Sequence, residues 1–117
     1  MIAENEKRLM TKKRLQEEIK RITKQIVQHY RPQKVILFGS AARGEFGEDS
    51  DVDMLIIKET PERRVDRIKK VLLAADYSFP LEPLVYTPAE LEERKRLGDS
   101  FILEVLKQGK VLYERKH

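Results

Sequence analysis

The chain of 117 residues contains no cysteine and only two histidines, His29 and His117. The absence of cysteine excludes disulfides, thiolate metal sites and cysteine nucleophiles. Two histidines are too few for a histidine-rich metal site, so any bound metal should be a hard cation with oxygen ligands. Chemistry in this protein therefore has to come from carboxylates, hydroxyls, backbone groups and basic side chains.

Long apolar runs are also missing. No apolar stretch approaches the roughly 20 residues of a membrane span, and the first residues carry charges where a signal peptide would be apolar. We therefore expect a cytoplasmic protein that does not enter a membrane. With 40% hydrophobic and 38% charged residues, residues 1–117 fit one domain with a modest core.

The basic excess is confined to the start of the chain. Residues 1–31 carry nine Lys or Arg against four Asp or Glu. Apolar residues at steps of three and four predict an amphipathic helix over about residues 5–30, ended by Pro32. Its basic cluster could contact RNA phosphates, although such a cluster is more often a solvated helix face. The apolar positions are Leu15, Ile19, Ile22, Ile26 and Tyr30, and the basic ones are Lys12, Lys13, Arg14, Lys20 and Arg21.

Two short apolar runs, residues 34–38 and 52–57, predict buried strands separated by a polar segment. Thr60 followed by Pro61 predicts the start of a helix that continues to about Tyr77. Residues 80–86 predict a third strand, with its proline near the start or on a sheet edge. Strands that alternate with helices predict the α/β class, with helices packed on a small sheet.

The last third of the chain carries two helix-start signals. Thr87 with Glu90 forms a capping-box pattern, which predicts a helix that runs to Gly98. Asp99 or Ser100 should cap a further helix that ends at Gly109. A short apolar segment, residues 111–113, follows.

A pair of carboxylates precedes and enters the second strand. Asp51 and Asp53 stand at i and i+2, so in an extended strand their side chains share one face, with Cα atoms roughly 6.6 Å apart. Two carboxylates on one cation suit Mg²⁺, which accepts oxygen ligands and bridges to substrate phosphates. Glu82, on the third strand, is the best candidate for a third ligand near an attacking hydroxyl. The alternative for Glu82 is an ordinary exposed strand residue.

A glycine turn closes the first strand. Gly39 can bend the chain and leave room for a phosphate oxygen, while Ser40 offers an N–H and a hydroxyl at the start of a short helix. Arg43 could neutralise a triphosphate or form a structural salt bridge. Ser50 should brace the Asp pair or contact the nucleotide directly. The P-loop is excluded because no Gly-Lys-Ser or Gly-Lys-Thr follows Gly39.

Two segments carry a known pattern, namely Phe38-Gly39-Ser40-Ala41-Ala42-Arg43-Gly44 and Ser50-Asp51-Val52-Asp53-Met54-Leu55-Ile56. Together they resemble the signature of the DNA polymerase beta-like nucleotidyltransferases, and of their minimal (MNT) members in particular. The resemblance covers residues 34–113. It implies the polymerase beta palm-like fold, in which helices pack on a small mixed sheet. It also implies nucleotide phosphates at Gly39 and Ser40 and two Mg²⁺ ions at Asp51, Asp53 and Glu82, with ATP as substrate. Glu82 departs from the aspartate that is common at the third position.

The resemblance also implies a partner. Small members are often paired with a HEPN-domain toxin, and some transfer AMP from ATP to a tyrosine of that toxin. A chain this short has little room to hold an acceptor, so we expect a partner protein to supply it. Two alternatives remain, namely a binding module that neutralises its partner by occlusion and an RNA-directed nucleotidyltransferase that uses the basic helix. A homo-oligomer is compatible with either.

Overall fold

In residues 3–45 and 51–116, which the computed structural model describes, the chain forms a four-stranded mixed sheet with helices on both faces. This confirms the predicted α/β class. The strands are β1 (Lys34–Phe38), β2 (Val52–Ile57), β3 (Leu81–Tyr86) and β4 (Lys110–Glu114). The helices are α1 (Glu4–Tyr30), α2 (Gly39–Ala42), α3 (Arg64–Ala74), α4 (Pro88–Arg96) and α5 (Ser100–Gln108).

The sheet order is β3-β2-β1-β4. Strand β1 is antiparallel to both β2 and β4, whereas β2 and β3 are parallel. Pro83 lies on the edge strand β3, as predicted, where a missing N–H costs no hydrogen bond inside the sheet. Residues 111–113, predicted only as an apolar segment, form the middle of β4 because β1 offers them an open edge.

The two faces of the sheet bury different residues. Alternate residues of β1 and β2 pack against α1 and α3, and the intervening ones pack against α5. Because both faces are covered, the strands are almost continuously apolar, as predicted. Buried strand residues on the α1 face are Val35, Leu37, Val52, Met54 and Ile56, and those on the α5 face are Ile36, Leu55 and Ile57.

Helix α1 confirms the predicted amphipathic stripe, since all five apolar positions from Leu15 to Tyr30 are buried. It ends at Arg31, which adopts a left-handed conformation with φ 56°. The Lys58 ammonium donates to the Tyr30 carbonyl at 2.5 Å, and Arg115 donates to the Arg31 carbonyl at 2.7 Å. Cations thus stabilise the negative end of this helix. Among the described residues, no helix combines the length and apolar character that a membrane crossing requires.

Helix α3 is shorter than predicted at both ends. The sequence pattern predicted residues 61–77, whereas the helix spans Arg64–Ala74. The Thr60 hydroxyl accepts the Glu62 N–H at 3.2 Å, so this threonine forms a turn before the helix rather than its N-cap. Beyond the helix, the Asp76 N–H donates at 2.8 Å to a glutamine side chain of α1. Tertiary hydrogen bonds therefore replace the helical ones that propensity alone predicted.

The predicted caps of the last two helices are confirmed. Thr87 Oγ1 accepts the Glu90 N–H at 3.1 Å, and Glu90 Oε1 accepts the Thr87 N–H at 2.8 Å, which completes the capping box of α4. Asp99, rather than Ser100, caps α5 by accepting the Ile102 N–H at 3.2 Å. Helix α5 ends at Gln108, with Gly109 as its C-cap.

Arg67 is a buried cation that joins α3 to β3 and α4. Its guanidinium donates to the Glu62 carbonyl at 2.7 Å, to the Val85 carbonyl at 3.3 Å and to the Glu90 carboxylate at 2.6 Å. Burial favours a higher pKa for Glu90, but its hydrogen bonds with Arg67 and Thr87 outweigh this effect and lower the pKa. Arg67 is therefore the buried member of this ion pair, while Glu90 stays partly exposed.

Replacing Arg67 by alanine should lower the free energy of unfolding by about 3 kcal/mol. That is the lower end of the cost of breaking a buried pair, because the Glu90 side chain is 34% exposed. The control is Arg63→Ala, which removes an exposed ion pair to Asp66 and should cost less than about 1 kcal/mol. Urea denaturation measures both, and equal losses would contradict a structural role for the buried pair.

Candidate active site

The first strand ends in a sharp turn at Gly39. Phe38 is extended, Gly39 has φ +75°, and α2 is a single helical turn. The Arg43 N–H donates to the carbonyls of Gly39 and Ser40 at 3.2 and 3.1 Å. This confirms the predicted short helix after Gly39 and Ser40. Ser40 is half-buried at its start.

Gly39 lies directly against the carboxylate of Asp53. Asp53 is the register partner of Phe38 across β1 and β2. A Cβ added at Gly39 would stand 2.3 Å from Oδ2 of Asp53, closer than two atoms can approach. Glycine is favoured here by its positive φ, and any Cβ would force the Asp53 carboxylate to move.

Asp53 also faces Glu82 across the parallel pair of β2 and β3, where the two residues are register partners. The pKa of Asp53 is raised to about 6. Burial is the largest cause, followed by the hydrogen bond with Glu82 and the charges of Glu82 and Asp51. Glu82 is exposed, whereas Asp53 is half-buried. The structure therefore brings the predicted residues Asp53 and Glu82 together as a carboxylate pair.

Asp51 lies just before β2, is half-buried and acts on Asp53 through its charge. Within the described ranges, no three His, Cys, Asp or Glu side chains form a group that could hold a metal ion. The three-carboxylate site thus stays a prediction. The donors themselves fit a hard cation, because two facing carboxylates repel each other when ionised and a divalent ion relieves that repulsion.

Arg43 lies one turn beyond Gly39, as predicted, and its side chain is exposed. It forms an ion pair with Glu45 at 3.2 Å, the structural alternative that the sequence left open. Such an exposed pair contributes little stability, so it does not prevent the guanidinium from turning to a ligand. Ser50, predicted to brace the Asp pair or contact the nucleotide, lies outside the described residues.

Beside the glycine turn is a cleft of about 250 Å³ that the sequence interpretation missed. One side of the cleft is lined by Phe38, Gly39 and Arg43. The other side is lined by Phe101, Glu104 and Gln108 of α5. The spacing of the α5 residues at i, i+3 and i+7 marks one helix face and could have drawn attention to them. Which strand that face meets depends on tertiary packing, so the sequence pattern did not reveal the cleft.

The family model of the nucleotidyltransferase domain matches residues 16–113, which include both strands that carry the carboxylates and the glycine turn. The chain belongs to the nucleotidyltransferase family. The resemblance of the Gly-Ser and Asp-x-Asp segments is thereby confirmed, and the protein is an enzyme of this class.

Two relatives of this nucleotidyltransferase come from Methanocaldococcus jannaschii, and both are provisionally named protein adenylyltransferases. One is 40% identical over 86 residues, which are 71% of this chain and 80% of the relative. The other is 40% identical over 81 residues, which are 65% of this chain and 74% of the relative.

Two solved structures share the fold. A provisionally named nucleotidyltransferase from Sulfolobus solfataricus aligns with a TM-score of 0.65 and 20% identity, over 92% of this chain and 87% of that one. A toxin-antitoxin structure with AMP-PNP aligns with a TM-score of 0.50 and 23% identity, over 85% of this chain and 74% of that one. The mixed sheet with its helices is therefore a nucleotidyltransferase fold, as the resemblance implied.

Gly39→Ala and Gly98→Ala form a matched pair, since both glycines have a positive φ, +75° and +73°, but no atom lies within 4 Å of a Cβ at Gly98. Each variant should lose about 1 to 2 kcal/mol of stability from backbone strain. Only Gly39→Ala should also force the Asp53 carboxylate to rotate, which should lower nucleotidyl transfer about a hundredfold. Urea denaturation and a transfer assay separate the two effects, and equal activities would contradict the contact.

The raised pKa of Asp53 predicts a pH-dependent stability in the metal-free protein. A carboxyl whose pKa is higher in the folded chain than in the unfolded chain stabilises the fold while it is protonated. This contribution is complete below the pKa of the unfolded chain, here 3.8, and is lost as the pH rises through about 6. Asp53→Asn should therefore have a higher melting temperature than the wild type at pH 7.5. This difference should disappear near pH 4.

The matched control for that measurement is Asp76→Asn, which removes an exposed carboxylate on the loop before β3 whose charge acts on Arg21 of α1. The difference in melting temperature between Asp76→Asn and the wild type should not change with pH in the way expected for Asp53→Asn. Mg²⁺ at pH 7.5 should stabilise the wild type more than Asp53→Asn. A constant difference between Asp53→Asn and the wild type from pH 4 to 7.5 would contradict the carboxylate pair.

Proposed function

We propose that this nucleotidyltransferase is Mg²⁺-dependent and transfers AMP from ATP to a hydroxyl of a partner protein, as the antitoxin of a HEPN-domain toxin. The observation that carries the proposal is the Asp53 carboxylate, which lies between the Gly39 turn and Glu82. The relatives named as protein adenylyltransferases support a protein acceptor. The toxin-antitoxin structure of similar fold, which contains AMP-PNP, supports the toxin partner and the adenine nucleotide.

In the proposed reaction, the acceptor oxygen attacks the α-phosphorus of ATP, the bond to the bridging oxygen breaks, and pyrophosphate leaves. Asp51, Asp53 and Glu82 would hold Mg²⁺, and the bound ion would lower the pKa of the hydroxyl and offset charge on the phosphates. Gly39 and Ser40 position the phosphates, and Arg43 adds a positive charge. Glu82, exposed beside Asp53, can take the proton of the hydroxyl.

The position of Glu82 explains why the acceptor should come from another molecule. Strand β3 is an edge of the sheet, and Glu82 is exposed on it. A partner surface that meets this edge would bring its hydroxyl to the carboxylate pair without moving any element of the fold. Electrostatic alignment of the reactants would then provide most of the catalysis.

The first step of the test is to ask whether an adjacent reading frame encodes a HEPN-domain protein. That protein is then incubated with this enzyme, Mg²⁺ and ATP labelled at the α- or γ-phosphate. Transfer of AMP labels the partner from α-labelled ATP and not from γ-labelled ATP, which distinguishes it from phosphorylation. Asp53→Asn should lower the rate at least about a hundredfold. Asp76→Asn, on an exposed loop, should keep the wild-type rate.

Two results would overturn the proposal. One is a partner that stays unlabelled with the wild-type enzyme. The other is an Asp53→Asn variant that neutralises the toxin as well as the wild type does, since this outcome supports occlusion without chemistry.

A further inference from the structure

The cleft between α2 and α5 opens on the same sheet face as the carboxylate pair. In β2, the neighbours of Asp53 on either side point to the α1 face of the sheet. Asp53 itself shares the opposite face with Leu55 and Ile57, which pack against α5. In β3, Glu82 shares the face of Tyr86 in the same way. Helix α5 therefore covers the part of this face that lies next to the carboxylates.

One residue joins the cleft to the carboxylate pair. Gly39 lines the cleft, and its Cα is so close to Asp53 that a Cβ would overlap the carboxylate. Arg43 makes a second link, because its charge interacts with Asp53 on one side and with Glu104 of the cleft on the other. A ligand in the cleft could thus extend to Asp53 past the glycine turn.

The walls of the cleft suit an aromatic ligand with polar edges. The rings of Phe38 and Phe101 meet edge to face with centroids 5.5 Å apart, and Phe101 keeps 44% of its surface exposed. Glu104 accepts hydrogen bonds, and the Gln108 amide both donates and accepts them. The volume of about 250 Å³ is slightly below the usual range for drug-sized ligands and is suited to part of a nucleotide.

We propose that this cleft binds the nucleobase and ribose of the nucleoside triphosphate, with the phosphates extending past Gly39 toward Asp53 and Glu82. The base stacks on Phe101, Gln108 contacts its polar edge, and Glu104 accepts from the ribose hydroxyls. This inference deepens the proposed function and rests on it, because the ligand is the substrate of the same site. It assigns nucleoside recognition to α5, which lies outside the Gly-Ser and Asp-x-Asp segments.

The test separates the two halves of the nucleotide. With the ¹⁵N-labelled protein, adenosine should shift the amide signals of α5, whereas inorganic triphosphate should shift those of the Gly39 turn. AMP-PNP is an ATP analogue whose β–γ link resists hydrolysis, and without a partner protein no acceptor is present to cleave its α–β bond. Calorimetry with AMP-PNP and Mg²⁺, without a partner protein, should then show a Kd about tenfold higher for Phe101→Ala, the loss expected for one base-aromatic contact. The Kd for triphosphate should not change.

Leu103→Ala is the matched control, since Leu103 lies on the same helix, is 43% exposed and does not line the cleft. It should bind AMP-PNP like the wild type. Phe101→Leu keeps an apolar side chain against Phe38 but loses the stacking ring, so it should also raise the Kd for AMP-PNP. It replaces Phe101→Ala in the test if that variant does not fold. Equal Kd values for Phe101→Leu and Leu103→Ala, or adenosine that leaves α5 signals unmoved, would overturn the inference.

The AMP-transfer assay tests the proposed function separately. If the wild type labels its partner and Phe101→Leu binds AMP-PNP normally, the inference fails and the function stands. If no partner is labelled while Phe101→Leu selectively loses AMP-PNP binding, the cleft stands as a nucleoside site and the proposed transfer fails.

Discussion

The position of the Asp53 carboxylate is the constraint on which the rest of the site depends. It touches the backbone of Gly39 on one side and faces Glu82 on the other. Both contacts require β2 to lie between β1 and β3, with β3 parallel and in register. A shift of one residue in either pairing would turn the partner of Asp53 to the opposite face of the sheet. The sheet order is therefore what assembles the site.

Holding two carboxylates together is unfavourable, and the raised pKa of Asp53 is the sign of that cost. The compensating stability lies elsewhere in the fold. Apolar cores on both faces of the sheet hold β2 and β3 together, and the Arg67–Glu90 pair fixes α3 and α4 to β3. A strained charge arrangement on a well-packed scaffold is typical of functional sites, because fixed groups need not reorganise during the reaction.

Much of this architecture could be predicted from the sequence because its signals are local. The apolar stripe of α1, the Thr87–Glu90 capping box and the buried β1 and β2 depend on neighbouring residues and are present as expected. What could not be predicted depends on distant contacts. Helix α3 ends early because α1 binds the segment after it, and β4 forms only against β1. The register of Asp53 with Glu82 and the cleft under α5 likewise require the assembled sheet.

The two carboxylates lie in different settings, which bears on the glutamate where related enzymes often have aspartate. Asp53 is half-buried on an inner strand, with its carboxylate against the glycine turn. Glu82 is exposed on the edge strand and has one more rotatable bond. In the proposed reaction the inner carboxylate serves the nucleotide and the outer one serves the acceptor. A longer side chain at the edge can adjust to a partner's hydroxyl, while the inner position leaves no comparable space.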